Sequence, residues 1–322
     1  MTEDRTEQLV RDAFAEEAAR AVDSREVLAV VRGRKPRRSY GLMLATAAVV
    51  VVVAAVATFV VPEVFRRSSV PSAGEQSRAV TPVNVLVLGT GGDGSSDSVV
   101  LVQIGADGTA NVVSLPRDSW VSADGKMTRL SQVFKQFDMD VLFRTVGALT
   151  GVQVDRLVLV NMKAVGDLAN AVGGVPVCLN AATSDWASGA DFPAGQQVLN
   201  GDEALAFVRQ RRGLPNGDLD RIVRLQAFMQ SLVVKLRDAD LAAVLAAASG
   251  GIDIDPNLDL LGLATDLVHA KELRIGTIPI ANPDLQPPEG GSVVGVDPAQ
   301  VKEYVAGLPN TPPATGDVPC VN

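Results

Sequence analysis

The longest apolar stretch of the chain, Gly41 to Val61 (GLMLATAAVVVVVAAVATFVV), carries no charged residue. As a helix rising 1.5 Å per residue it spans roughly 30 Å, the thickness of a bilayer's hydrocarbon core. It starts too deep in the chain for an ordinary secretory leader, and Pro62-Glu63 end it. Residues 41–61 are therefore predicted to form one transmembrane helix. Arg32, Arg34, Lys35, Arg37 and Arg38 precede it, whereas only Arg66 and Arg67 follow closely. That bias predicts a single-pass protein of the cell membrane, N-terminus cytoplasmic and main domain extracytoplasmic. Residues 1–40 read as a helical cytoplasmic head, with Leu9, Val10, Phe14, Ala18 and Val22 at helical spacing. Residues 62–82 read as a linker, rich in Ser, Pro and polar residues from Ser68 onward.

Beyond the linker the pattern alternates between short apolar runs and amphipathic stretches. Val83 to Leu88, Ser98 to Ile104 and Ala110 to Ser114 read as strands, the last two joined by Gly105-Ala106-Asp107-Gly108. Short connections make these three locally antiparallel. Gln132 to Leu149 reads as one helix ending before Gly151, Leu157 to Val160 as a strand, Met162 to Val172 as a helix and Val175 to Leu179 as a strand. Asp202 to Phe207 fits a short helix or a strand entry. Leu219 to Arg237 is strongly amphipathic, with Leu225, Phe228, Met229, Leu232 and Leu236 on one face. Helices over Ala239 to Ala248, Leu258 to Ala270 and Pro298 to Leu308, and a strand over Leu273 to Ile280, complete an α/β layered domain across residues 83–308. The Pro-rich tail, 309–322, reads as loose.

Net charge is −8, and aromatics make up 4% of the residues, which excludes a basic nucleic-acid face or a base-stacking platform. The single histidine, His269, has no nucleophile signature near it and reads as a residue near a helix end. The two cysteines, Cys178 and Cys320, have no zinc-type spacing. Against this acidic background the arginines cluster. Arg117 and Asp118 follow the third strand. Arg209 and Arg211, two apart, point the same way if the backbone is extended. Asp218 reads as the cap of the amphipathic helix, with Arg221 and Arg224 on one face of its first turns. Cations there oppose the helix dipole, and a bound anion would resolve the conflict. Asp97, and with it Asp93 in the glycine-rich segment Gly89 to Gly94, could hold a hard cation such as magnesium at a strand end. The glycines precede a strand-type run instead of a helix, which disfavours a dinucleotide loop. Val133, Phe134, Phe137, Leu142, Phe143 and Val146 could line a lipid slot or form ordinary core.

Taken in order, Val85-Leu86-Val87-Leu88-Gly89, Ser96-Asp97-Ser98, Ser114-Leu115-Pro116-Arg117-Asp118-Ser119, Leu199-Asn200-Gly201, Phe207-Val208-Arg209-Gln210-Arg211 and Gly217-Asp218-Leu219-Asp220-Arg221-Ile222-Val223-Arg224 resemble the LytR-CpsA-Psr family of cell-envelope phosphotransferases. The resemblance is strong from about Val83 to Leu236 and weaker to about Leu308. It implies a three-layer α/β/α extracytoplasmic domain with a mixed central sheet, preceded by one transmembrane helix. It also implies transfer of a glycopolymer from a polyprenyl-pyrophosphate carrier to a peptidoglycan hydroxyl, assisted by Mg2+. Carried over by motif, Asp97 helps bind magnesium, with Asp93 a second carboxylate. Arg117, Arg209, Arg211 and Arg221 grip the pyrophosphate, Arg224 supports them, and Asp118 orients the acceptor or an arginine.

Several positions depart from the family pattern. Gly91 stands where an aspartate is usual, Ser95 where an arginine is usual, Thr128 for asparagine and Leu225 for glutamine. Gln196 lies where actinobacterial relatives often carry the cysteine that pairs with the one after Gly-Gly-Val, so Cys178 lacks that mate; an oxidising exterior would permit a bond to Cys320, and the sequence leaves that pairing open. A weakened or specialised transferase, a binding protein without turnover and a lipid pyrophosphatase all remain compatible with these changes.

Overall fold

The structure, a computed structural model, describes residues 80–91, 95–314 and 318–322. The predicted head (1–40), membrane helix (41–61), most of the linker, and Asp93 lie outside the described residues. Three antiparallel strands, Val83–Thr90 (β1), Ser96–Ile104 (β2) and Thr109–Leu115 (β3), open the domain. The hairpin Trp120–Ala123 (β4) and Lys126–Arg129 (β5) precedes helices Leu130–Gln136 (α1) and Met139–Thr150 (α2). Strand Arg156–Asn161 (β6) runs straight into helix Met162–Ala171 (α3). Val175–Leu179 (β7), the hairpin Thr183–Asp185 (β8) and Ala190–Phe192 (β9), and Gly195–Leu199 (β10) follow, with β7 and β10 paired. Helices Gly201–Arg209 (α4), Asp218–Leu236 (α5) and Leu241–Ala248 (α6) lead to Ile252–Ile254 (β11) and helix Leu260–Val268 (α7). Glu272–Thr277 (β12), Asn282–Leu285 (β13), Val293–Gly295 (β14) and helix Pro298–Gly307 (α8) complete the chain of elements.

The central sheet has the order β11-β6-β1-β2-β3-β12, with β6 parallel to β1, β12 parallel to β3, and the remaining pairs antiparallel. Alternation along the strands sends side chains to two faces. Leu86, Leu88, Leu101 and Val113 pack against Val133, Leu142, Val146 and Val301 of α1, α2 and α8. Val85, Val100, Val102 and Val112 face Val233 of α5, with Met229, Leu263 and Leu267 packed partly buried around them. Helices thus cover both faces of a mixed sheet. Val133, Phe134, Phe137, Leu142, Phe143 and Val146 belong to the first of these cores, so they form ordinary packing and line no lipid slot.

Three local expectations change. The single helix over 132–149 is two helices, because the Asp138 carboxylate accepts the Val141 amide at 2.8 Å and starts a new one. Residues 202–207 settle as helix α4, opened by a capping box in which Asn200 accepts the amides of Asp202 and Glu203 while Glu203 accepts that of Asn200. The tail is not loose where it is described. Cys320 is disulfide-bonded to Cys178. Val321 exchanges backbone hydrogen bonds with Cys178 and Asn180 (2.9 and 2.8 Å) and is buried against Phe207 and Phe228 in a third core around β7, β10 and α4.

Candidate functional site

β1, β3, β6 and β12 all end at one edge of the sheet, where β2 begins. The site is built there, as open α/β sheets usually place it. Asp97 is the second residue of β2, and Arg117 follows β3. Their side chains meet, Arg117 Nη1 donating to Asp97 Oδ1 at 2.5 Å. Arg211 Nη2 lies 3.6 Å from the same oxygen, and its Nε 3.3 Å from Asp218 Oδ1. Arg221, in the first turn of α5, makes a two-pronged contact with Asp218 at 2.8 and 3.1 Å. Guanidinium groups nearly a hundred residues apart along the chain therefore share one cluster. The Arg211 guanidinium is held below the usual arginine range, first by burial and then by the charge of Arg221. Arg117 adds to that effect, while Asp218 and Asp97 oppose it.

A polar cavity of about 370 Å3 opens among these groups. Asp97, Asp185, Arg209, Arg211, Arg212 and Arg221 are in its wall. Beside it lies an apolar cavity of about 260 Å3 between the sheet and α5, walled by Val100, Val102, Leu225, Phe228, Met229 and Leu232 among others. Asp97, Met162, Val208 and Arg221 line both, so the cavities adjoin. Gly89 is also in the apolar wall, and a Cβ there would stand 2.3 Å from Ser98 Oγ, so a larger residue needs that hydroxyl to rotate away. Of the departures from the family pattern, Leu225 contributes an apolar wall. The retained Gln226 donates to Ser114 Oγ and Thr277 Oγ1 (3.0 and 2.8 Å), pinning α5 to the paired ends of β3 and β12.

Several expected positions are corrected. Arg209 and Arg211 do not share a face of extended backbone. Arg209 ends α4, a favourable place for a cation, and Gln210 turns the chain, yet both arginines reach the polar cavity. Asp218 does not cap α5. The cap is Gly217, and Asp218 is the first helical residue, its carboxylate spent on Arg221 and Arg211. Arg224 does not face the cavity with Arg221. It is fully buried, donates to Gln210 Oε1 (2.6 Å) and to the Asn322 carbonyl, and lies 4.9 Å over the Phe207 ring. Burial pushes it down to about 10, against the pull of Asp220. Arg117 is itself outside the polar cavity wall and reaches it only through Asp97. Asp118 also lies outside it, 3.9 Å from Arg117 Nε and 3.5 Å from Arg129 Nε, a placement suited to orienting an arginine.

Two residues not singled out from sequence hold the arginine segment. Gln210, fully buried, donates to Thr183 Oγ1 and the Arg212 carbonyl at 2.6 and 3.0 Å. Asp185 accepts the amides of Ala187, Arg211 and Arg212 at 2.9, 3.2 and 3.3 Å. Burial alone would raise the Asp185 carboxyl, but these amides together pull it below its usual value. An aspartate before a glycine-bearing turn was the available signal, and it resembles any solvated turn.

Among the described residues no group of three acidic, histidine or cysteine side chains gathers as a metal cage. Asp185 is committed to amides, which leaves Asp97 as the carboxylate of the polar cavity facing the arginines. One carboxylate suits a magnesium ion that takes its remaining oxygens from phosphate and water.

The cell wall biosynthesis protein LcpA of Corynebacterium glutamicum is 33% identical over 268 residues, covering 71% of this chain and 52% of LcpA. The polyisoprenyl-teichoic acid–peptidoglycan teichoic acid transferase TagU of Bacillus mycoides is 34% identical over 161 residues, 48% of this chain and 52% of TagU. The chain spans about half the length of these curated relatives. Among solved structures, TagT bound to LIIa-WTA superposes with a TM-score of 0.60 at 25% identity, over 75% of this chain and 95% of TagT. TagV of B. subtilis gives 0.60 at 24%, over 71% and 96%. The LytR_cpsA_psr family pattern matches residues 64–305, and the chain belongs to that family.

Proposed function

We propose that this protein moves a glycopolymer from a polyprenyl-pyrophosphate carrier to a peptidoglycan hydroxyl at the outer face of the cell membrane. One observation carries the reading: an arginine-lined polar cavity adjoins an apolar one across a shared wall of Asp97, Met162, Val208 and Arg221. A molecule with a doubly phosphorylated head and a hydrocarbon tail matches both, the apolar cavity taking the isoprene units next to the head. The wall of the polar cavity carries Arg209, Arg211, Arg212 and Arg221 against Asp97 and Asp185. Four positive charges against two negative leave two, the charge of a pyrophosphate diester.

Phosphoryl transfer asks for positioned cations more than for a protein nucleophile. The acceptor hydroxyl attacks the sugar-linked phosphorus, and its proton passes to water. The bond to the bridging oxygen breaks, and polyprenyl phosphate leaves. Arg117, Arg209, Arg211 and Arg221 hold the phosphate oxygens in line and neutralise the charge that gathers on the leaving group. Asp118 braces Arg117, and Arg224 positions the arginine segment from behind through Gln210. Magnesium, held by Asp97 with Asp93 as the second candidate, would supply further charge neutralisation when bound. The relative named TagU acts on teichoic acid, which supports an anionic or glycan cargo of this class for the present chain.

The test uses the full chain in detergent micelles with a polyprenyl-pyrophosphoryl disaccharide, Mg2+ and purified peptidoglycan. The expected products are polyprenyl phosphate and sugar-bearing peptidoglycan. Binding without release would reject turnover and leave the binding-protein reading. Release into water without coupling would leave a pyrophosphatase. Protease added to intact cells should remove the domain after residue 61, and full protection would reverse the proposed orientation.

A further inference from the structure

Trp186 is the most exposed large apolar side chain among the described residues, with 81% of its surface open to solvent. In a chain with two tryptophans this placement is costly, because a large ring gains most by burial. Its position is specific. Trp186 sits at the turn of the β8–β9 hairpin, between Asp185 and Ala187, both of which line the polar cavity. One face of the ring rests on Arg212, whose Cζ lies 4.2 Å from the ring centroid and which lines the same cavity. The turn is closed by Gly189 (φ 77°), whose amide donates to the Asp185 carbonyl at 2.9 Å. The Asp185 carboxylate ties the hairpin to the Arg211-Arg212 backbone. Tryptophan and arginine segments therefore move as one unit.

We infer that the Trp186–Arg212 pair is a sugar platform, a binding site for the saccharide attached to the pyrophosphate, and this inference rests on the phosphotransferase reading above. In such a substrate the first sugar is bonded directly to the phosphate. With the hydrocarbon in the apolar cavity and the pyrophosphate among the arginines, the sugar lies at the rim of the polar cavity. Trp186 lines neither cavity itself, but its chain neighbours Asp185 and Ala187 and its ring partner Arg212 line the polar one and not the apolar one. A rigid indole offers the C–H face of a sugar a broad apolar contact at little cost in side-chain freedom, while the neighbouring guanidinium and Ser188 offer hydrogen bonds to hydroxyls. Arg212 underneath fixes the ring's orientation and leaves its other face to the ligand.

The experiment compares two probes on the full chain in detergent micelles: a decaprenyl-pyrophosphoryl disaccharide and bare decaprenyl pyrophosphate. Trp186→Ala is expected to weaken binding of the first about tenfold and leave the second unchanged, and Trp186→Phe to restore most of the loss. Unchanged affinity for the disaccharide lipid overturns the platform. So does equal weakening for both probes, which would place the ring against the lipid, a micelle surface or the pyrophosphate. Arg211→Ala separates this from the parent reading: it is expected to weaken both probes. If the wild type binds neither, or Arg211→Ala weakens neither, the phosphotransferase reading falls and the platform with it. If Arg211→Ala weakens both while Trp186→Ala weakens neither, the platform alone falls.

Discussion

Opening the Cys178–Cys320 bond should destabilise the domain strongly. The two cysteines are 142 residues apart along the chain, so the bond closes a loop spanning β7 to the final residues. In the chain-entropy description, a loop of that length removes about 5 kcal/mol of unfolded-state freedom at 25 °C. Part of this is recovered in a reduced native state, because the final residues can then separate, giving up the Val321 burial and the two backbone bonds that hold them. A loss of about 3–5 kcal/mol is expected, or roughly a 10 °C fall in Tm for a domain of this size. The assay is thermal and urea unfolding of the wild type with and without reductant, beside the Cys178→Ser/Cys320→Ser double variant. Val321→Asp with the bond intact is the control, since it removes packing and leaves the loop constraint. Were the reduced and double-variant proteins to melt within about 2 °C of the oxidised wild type, the loop-closure reasoning would be refuted.

Arg209→Ala should weaken pyrophosphate binding by about 2 kcal/mol, roughly thirtyfold, with Tm little changed because the side chain is exposed at a helix end; equal affinity by calorimetry would remove Arg209 from the grip. The Asp185 carboxyl is lowered from 3.8 in the folded state, so its stabilising effect is fully present above that value and is lost as pH falls through the lower folded-state value. Asp185→Asn should flatten the acid limb of the stability curve, and an unaltered limb would contradict the amide clamp. Met229→Trp should fill the apolar cavity, abolishing binding of long prenyl pyrophosphates while retaining short ones such as isopentenyl pyrophosphate. Equal loss for both lengths would show that the cavity does not accept the chain.

The legible parts of the sequence were those in which one physical pattern had one meaning. β1 to β3 follow from apolar runs with a Gly-Ala-Asp-Gly turn between the second and third, and the apolar face of α5 was readable residue by residue. Its partner was not, since periodicity says which side avoids water and not whether a cavity lies against it. The arginine cluster was legible because cations at a helix start in an acidic chain are an electrostatic anomaly. Individual directions were harder. Arg221 and Arg224 sit three apart on one helix, and only tertiary packing sends one to the cavity and buries the other under the final residues. Arg209 lies in helix and not in extended backbone because the capping box of Asn200 with Glu203 starts α4 nine residues upstream, and the pattern between them does not mark where that helix ends. The β4–β5 hairpin has its own signal, Asp124-Gly125, both at positive φ, but the two strands it joins are only four residues each and lack an apolar run.

The wall of valines and leucines between the sheet and α5 has a consequence for upkeep of the protein. A domain whose interior is finished by a guest molecule is stabilised by that guest, in proportion to the logarithm of its concentration over its dissociation constant. On the proposed reading that this wall takes a polyprenyl chain, depletion of that lipid would lower the abundance of the protein along with its turnover.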